Sequence, residues 1–482
     1  MNSIIVFPTH ITIPDYDIGD CSKLEFMLSR YDKMYHQYIA MGMWYDSEKR
    51  ELYIPRGLDI DYVARLVGRE VVFSDYFDDY GTLSLRMTKF PRSELQNDLI
   101  KFLIGLDSFS YNSTLPQLIG NAETGEGKTF CAIAALVYLR MKTIIIVNRK
   151  NIIKNWIDSL DEYTDIDRKR ILELTTANIK KLMHRPSLIK KYHIFVATHR
   201  TLQSNANTHG WSFITDLFKS LGIGLKIYDE AHMEFSAMTM TDFYTNTKKT
   251  FYLTANMERS AYDENSIFQK CFKTVPRFDQ IKRGYTDSKK HIVMLVAKYN
   301  SKPSVRDIAD CRNIQGFNKH NYSEYQVTRD REFYTHLDAL VTNFTVDKNF
   351  RTLILVSKIS SCEAIAEYYR SVYPELSIGV YNSAIDKKEK QRVLDEDRLI
   401  ISTSSSLGFS ETISDLRCVI NCEAFRSKIT GNQASGRLRR LGDDITCYYI
   451  ELIDEGFSSI RAQFKERESR YKTQFSKIIY LK

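Results

Sequence analysis

Residues 122–129 read A-E-T-G-E-G-K-T, the composition of a loop that binds phosphate. Gly125 and Gly127 let the backbone close round an anion, and the N–H groups of the loop, with Thr124 and Glu126 in it, point inward with the N-terminus of the following helix. Lys128 would stand beside the outer phosphates and Thr129 would offer its hydroxyl to magnesium. The pattern G-x-x-x-x-G-K-[ST] is met except at its first position, Ala122. A second signal, Asp229-Glu230-Ala231-His232, follows roughly a hundred residues later. Asp229 could hold the metal through water while Glu230 orients and deprotonates the water that attacks a terminal phosphate. A solvated turn with a helix-capping role would use the same two acids. A third, Q-A-S-G-R-L-R-R at 433–440, sets Arg437 and Arg440 three apart on one side of a helix, able to reach a triphosphate as arginine fingers or to lie on a basic surface. Gln96 carries an amide that can both donate to and accept from an adenine edge.

Those side chains need strands to hold them. Leu118 and Ile119 precede the loop in a short apolar run, and 130–138 is apolar enough for a buried helix. Continuous apolar runs at 143–147, 193–197, 224–228 and 251–256 alternate with helical spacing at 152–160 and 179–183. Alternation of this kind predicts a doubly wound parallel sheet, with the acid pair at a strand's carboxyl end where such sheets bind ligands. Thr254 and Asn256, with His232, could sense the acids and pass their state onward, or 251–256 is simply a strand ending in small polar residues. Residues 273–290 lack periodicity and read as a connector. Strands at 291–297, 353–357, 377–381, 399–403, 418–422 and 447–452, with helices at 363–369 and 386–394, predict a second parallel sheet without a phosphate loop. The fold class is therefore α/β, with residues 89–285 and 286–482 as two parallel-sheet domains. Pro91 marks a boundary before a helix through Leu95, Leu99 and Leu103 that carries Gln96. Residues 1–88 read as a small α+β domain: helical at 24–38, a hairpin across 42–54, helical again at 58–66. Its aromatic residues, with Arg50 and Arg56 among them, suit stacking on bases or gripping a backbone, or equally an aromatic core with surface arginines.

The 482 residues are 43 % apolar and 27 % charged, a soluble globular composition. No run is long and apolar enough to span a bilayer, and the first residues have no basic stretch before a long apolar one, so the cytoplasm is expected. Eight scattered cysteines point to reduced thiols, not zinc. Net charge is +8, yet residues 1–90 hold 10 Lys and Arg against 14 Asp and Glu, so the basic surplus belongs to the remainder. Such a surplus fits a polyanionic partner.

Taken in order and spacing, Gln96, A-E-T-G-E-G-K-T, D-E-A-H, T-A-N and Q-A-S-G-R-L-R-R resemble the motifs of superfamily 2 helicases. The resemblance implies two RecA-like domains closing on ATP and Mg2+, with Gly408 and Gln433 joining the nucleotide site. It also implies that Arg149, Thr198, His199, Ser357 and Ser404, together with Trp156, lie in loops that contact nucleic-acid phosphates. Asn256 stands where Thr or Ser is usual, and Ser410 where many relatives place an acid. Residues 44–58 are similar to the front domain of phage recombination helicases of the UvsW type, and the layout to branch-migration helicases of T5-like phages. The expectation is a monomeric DNA helicase acting on single-stranded and branched DNA, with no small-molecule substrate other than ATP. Its rivals are an RNA-directed or transcript-release helicase and an ATP-gated binding switch that separates no strands.

Overall fold

The β-branched and apolar runs assemble into two separate seven-stranded sheets, each wholly parallel. The computed structural model describes the chain except residues 1–2, 33–34, 109–113, 124, 256, 258, 260–261, 280–282, 284, 286–290, 314–315, 408–412, 426–433, 439–440, 442–444, 476 and 482. The predicted roles of Thr124, Asn256, Gly408, Gln433 and Arg440 therefore lie outside the described residues.

The first sheet runs, edge to edge, through Ile171–Glu173, Ile194–Thr198, Thr143–Val147, Leu225–Asp229, Lys249–Thr254, Gln117–Asn121 and Arg277–Asp279. Its central strands are buried along their length because both faces are covered, which is why their sequences run apolar without alternation. Ile145 and Val147 face the helices Glu94–Ile104, Lys128–Leu139 and Lys150–Tyr163, while Ile144 and Ile146 pack with Leu202, Leu217 and Phe235 on the opposite side. The second sheet runs through Ile378–Tyr381, Leu399–Thr403, Arg351–Val356, Leu416–Asn421, Cys447–Asp454, Ile292–Tyr299 and Lys477–Leu481. The chain divides into two compact units, Met1–Tyr285 and Thr286–Lys482.

Residues 1–88 carry their own mixed sheet, ordered Trp44–Asp46, Glu51–Pro55, His10–Pro14, Ile4–Val6 and Val71–Phe73. Its inner face, with Ile4, Ile11, Leu52 and Ile54, shares one core with Phe235, Ile267 and Phe272 of the first unit. Polar bonds reinforce that join: Thr9 donates to the Thr245 carbonyl (2.7 Å), and Gln117 Nε2 donates to the Thr9 carbonyl (2.8 Å).

Two expectations fail here. The helix expected at 24–38 stops after Ser22–Met27, where Met41 N and Gly42 N both donate to the Leu28 carbonyl. An antiparallel hairpin, Ser29–Asp32 with Gln37–Ala40, follows. Tyr31 and Tyr38 sit directly opposite each other with ring centroids 5.3 Å apart, so the aromatic spacing that resembled a helix serves a cross-strand pair. The expected connector also contributes a strand, Arg277–Asp279, which pairs with the strand before the phosphate loop and buries Phe278 against Phe102.

Candidate active site

Three strand ends meet at the carboxyl rim of the first sheet. Asn121 is in register with Thr254, and Leu253 with Asp229, so the phosphate loop and the acid pair start side by side. Gly125 and Gly127 adopt left-handed φ values of 95° and 87°. The φ of Gly127 favours glycine, and a Cβ there would stand 2.3 Å from Gln96 Nε2, so that amide would have to move. The helix Lys128–Leu139 begins with neither a side-chain cap nor an acid in its first turn, leaving N–H groups for an anion. Lys128 Nζ donates to the carbonyls of Ala122 (2.8 Å) and Glu123 (3.1 Å), folded over the loop it would serve. Thr129 follows on the same turn, half-buried.

Gln96 comes to this loop as expected, but its amide is a brace. Nε2 donates to the Glu126 carbonyl (2.8 Å) and Oε1 accepts from Arg92 N (2.9 Å). The Arg92 guanidinium donates to the Gly125 carbonyl (2.5 Å), a contact that no sequence motif announced.

Burial, and then the neighbouring Glu230, push the Asp229 carboxyl up to about 6; burial raises Glu230 as well, and the Lys128 ammonium opposes both shifts. Asp229 Oδ2 accepts a 2.8 Å hydrogen bond from the indole N–H of Trp156. That corrects the reading of Trp156 as part of a nucleic-acid motif: it is 1 % exposed and faces the acid. Glu230 has a left-handed φ of 50°, at a residue with a full side chain. His232 Nδ1 lies 2.9 Å from Thr254 Oγ1 and 3.4 Å from Glu230 Oε2. Burial lowers the pKa of this imidazole to about 4, so it is neutral near pH 7. His232 thus lies in contact with both Thr254 and Glu230.

The expected nucleic-acid residues fare unevenly. His199 is buried and stacked on Tyr228 with centroids 5.6 Å apart, its pKa lowered to about 4 by desolvation; it is a core residue, not a surface grip. Thr198 is buried too, and its hydroxyl caps the helix His199–His209 by accepting from Thr201 N (3.1 Å). Arg149 is half-buried at the start of Lys150–Tyr163. In the second unit Ser357 is 6 % exposed, and its hydroxyl has no partner among the described residues. The Ser404 hydroxyl donates to Glu423, and Ser404 N donates to Glu423 Oε1 (3.1 Å). Glu423, which sequence reasoning missed, is almost wholly buried and raised in pKa by desolvation. Arg437 is half-buried in the short turn after Ala434. At the front, Arg50 is exposed and paired with Asp17 (2.7 Å), whereas Arg56 donates through Nε to the Phe7 carbonyl (3.0 Å).

Two family models match the chain: the res subunit of type III restriction enzymes over residues 96–259 and the helicase conserved C-terminal domain over 334–442. No curated protein sequence matches. Among solved structures, Mss116p bound to ssRNA and AMP-PNP is 14 % identical, with 82 % of this chain and 75 % of that chain covered at a TM-score of 0.54. Dbp5 of S. cerevisiae, bound to RNA and ADP BeF3, is 13 % identical over 81 % and 89 % of the two chains at 0.52. These likenesses show the fold alone. T4 UvsW is covered over 99 % of both chains at 13 % identity, but its TM-score of 0.38 is too low to establish a shared arrangement.

Proposed function

We propose, from the premise that the chain is a superfamily 2 helicase and so an ATP-hydrolysing enzyme, that its track is DNA. It unwinds branched DNA and drives branch migration of forks or Holliday junctions, in replication, recombination or repair. The observation that supports the ATP site is geometric: Asn121 is in register with Thr254 and Leu253 with Asp229, so the phosphate loop and the acid pair leave adjacent strand ends.

In this reading the loop N–H groups and Lys128 hold the phosphates. Hard oxygen donors, the Asp229 carboxylate and the Thr129 hydroxyl, fit Mg2+, which when bound would neutralise charge on the outer phosphates. Glu230 takes the proton of the attacking water. Arg437 and Arg440 of the second unit supply the positive charge that the transition state requires, and Gln433 can add a neutral amide hydrogen bond to the nucleotide. Support for DNA comes from residues 44–58, similar in sequence to the front domain of phage recombination helicases. In the fold they form the hairpin Trp44–Asp46 with Glu51–Pro55, with Arg50 exposed at its tip. The exposed Arg50–Asp17 pair contributes little stability, so Arg50 is cheaply released to a phosphate. The proposed site of action is the cytoplasm; among the described residues no helix is long and apolar enough to cross a membrane.

The test compares ATP-dependent resolution of a four-way junction, a tailed DNA duplex and an RNA duplex. Junction resolution, lost in Lys128→Ala, is expected. Activity on RNA alone would replace this reading with an RNA-directed helicase, and stimulated hydrolysis without strand displacement would replace it with a binding switch. Glu230→Gln should keep ATP binding and lower turnover by at least about a hundredfold; unchanged hydrolysis would remove Glu230 from its role.

A further inference from the structure

The acid loop has a support that belongs to none of the motifs. Arg259, shortly after Thr254, donates through Nη1 to the backbone carbonyls of His232 (2.5 Å) and Met233 (3.2 Å). Those carbonyls lie in the turn that Glu230 opens with its left-handed φ, closed by Met233 N donating to the Glu230 carbonyl (2.9 Å). The other side of the same guanidinium donates through Nε (3.2 Å) and Nη2 (3.0 Å) to Glu264 Oε2. Glu264 Oε1 in turn accepts from Arg30 Nη1 at 2.6 Å. Arg30 sits on Ser29–Asp32, the first strand of the front hairpin, whose outer face exposes Tyr31 and Tyr38. A continuous series of charge-assisted bonds therefore runs from that hairpin to the backbone beside the acids.

We propose that Arg259 is a positioning residue for Glu230, and that Glu264 is the joint through which nucleic acid held at the front hairpin acts on it. A left-handed backbone at a residue with a full side chain persists only where its surroundings over-determine it. Arg259 supplies that constraint by fixing two carbonyls of the turn, which sets the direction of the Glu230 carboxylate. Arg259 and Glu264 expose only 17 % and 19 % of their side chains, so solvent screens their pair less than a surface pair. Arg30 is 37 % exposed, and a strand pressing on the hairpin alters its hold on Glu264. Nucleic acid at the front of the molecule thereby reaches the hydrolytic acids without passing through the sheet. This regulation rests on the nucleic-acid motor reading above; the positioning role does not.

The experiment uses the full chain, with ATP hydrolysis measured with and without forked DNA, binding of a fluorescent nucleotide, and thermal melting. Arg259→Ala is expected to lower kcat by about tenfold while nucleotide affinity stays within about twofold. Arg259→Lys, which keeps the charge but not the fork, should fall between the two, and it decides the matter should Arg259→Ala melt early. Arg30→Ala should leave unstimulated hydrolysis unchanged and reduce stimulation by forked DNA about threefold. Adding Glu264→Gln to Arg259→Ala should cost nothing further, because both act on one series. An unchanged kcat in Arg259→Ala, or a kcat loss matched by lost affinity, overturns the positioning role. Full stimulation of Arg30→Ala overturns the link to the hairpin. Absence of any stimulation in the unaltered chain would instead overturn the motor reading, and the kcat of Arg259→Ala would still decide the positioning role.

Discussion

Asp229 shows how much one neighbour decides about a carboxylate. Burial and Glu230 favour its protonated form; the indole N–H of Trp156 and the Lys128 ammonium favour the ionised one. Trp156→Phe keeps the ring that fills the core and removes only the donor. A hydrogen bond to a charged group contributes about 1.5–3 kcal/mol, so a loss of that order is expected in chemical denaturation at pH 8. The sign with pH follows from linkage. Asp229 has its folded pKa raised to about 6 from 3.8, and removing the donor raises it further. The penalty of the variant is therefore complete above the variant's own, higher folded value, shrinks as pH falls from there towards about 6, and is lost below that, where both proteins hold a protonated acid. A penalty equal at pH 5 and pH 8 would mean that the indole N–H does not act on the charge. Nothing in N-R-K-N-I-I-K-N-W says this; the acids were legible from their adjacency, whereas a donor 73 positions away in sequence becomes visible only in the fold.

At the scale of elements, the face of the first sheet turned from the phosphate loop contains a buried ionic knot. Lys226, fully buried, reaches Asp242 Oδ1 at 2.5 Å and the Thr245 hydroxyl at 2.7 Å. The hydroxyls of Tyr228 (2.8 Å) and Tyr252 (2.7 Å) also donate to Asp242, and Gln117 links Tyr252 to the Thr9 carbonyl of the front sheet. Asp242→Asn leaves a buried ammonium without its counter-charge, which costs about 3–5 kcal/mol. Adding Lys226→Met should return a large part of that loss in urea unfolding, because the unpaired charge and not the lost carboxylate is the cause; a double variant no more stable than Asp242→Asn would refute this. The same knot explains what sequence could tell about elements. Strands such as 143–147 are legible because each is buried on both faces and so reads as an apolar run. Leu225–Asp229, L-K-I-Y-D, survives a lysine in its middle only because Asp242, on another element, neutralises it. Arg277–Asp279 was missed for the complementary reason: three residues with one buried side chain give no period, and its partner strand lies far back in the chain. The hairpin at 29–40 was missed because tyrosines at helical spacing also suit a cross-strand pair, and only the contact between Arg30 and Glu264 and the stop at Leu28 decide between them.

The whole molecule divides after Tyr285, and the last residues of the first unit are tied to it firmly. Arg283 meets Asp107 with both forks, at 2.9 and 2.5 Å, each side chain only 6 % exposed, and Tyr285 donates to Asp98 on the helix that carries Gln96. Residues 1–285 therefore contain complete cores on both faces of the first sheet, its closing strand and the anchor of its own end. Expressed alone they should melt cooperatively and bind nucleotide within about threefold of the full chain, since loop, Lys128, Asp229 and Glu230 all lie in this unit. They should show no hydrolysis stimulated by DNA, because Arg437 and Arg440 reside beyond residue 286. Truncation at residue 273 removes the strand Arg277–Asp279 and the Arg283–Asp107 pair, uncovers Phe102 by taking Phe278 from it, and should abolish cooperative melting. A 1–285 fragment that hydrolyses ATP at the full stimulated rate would place the whole reaction in one unit and leave the arginines of the other without a part in it.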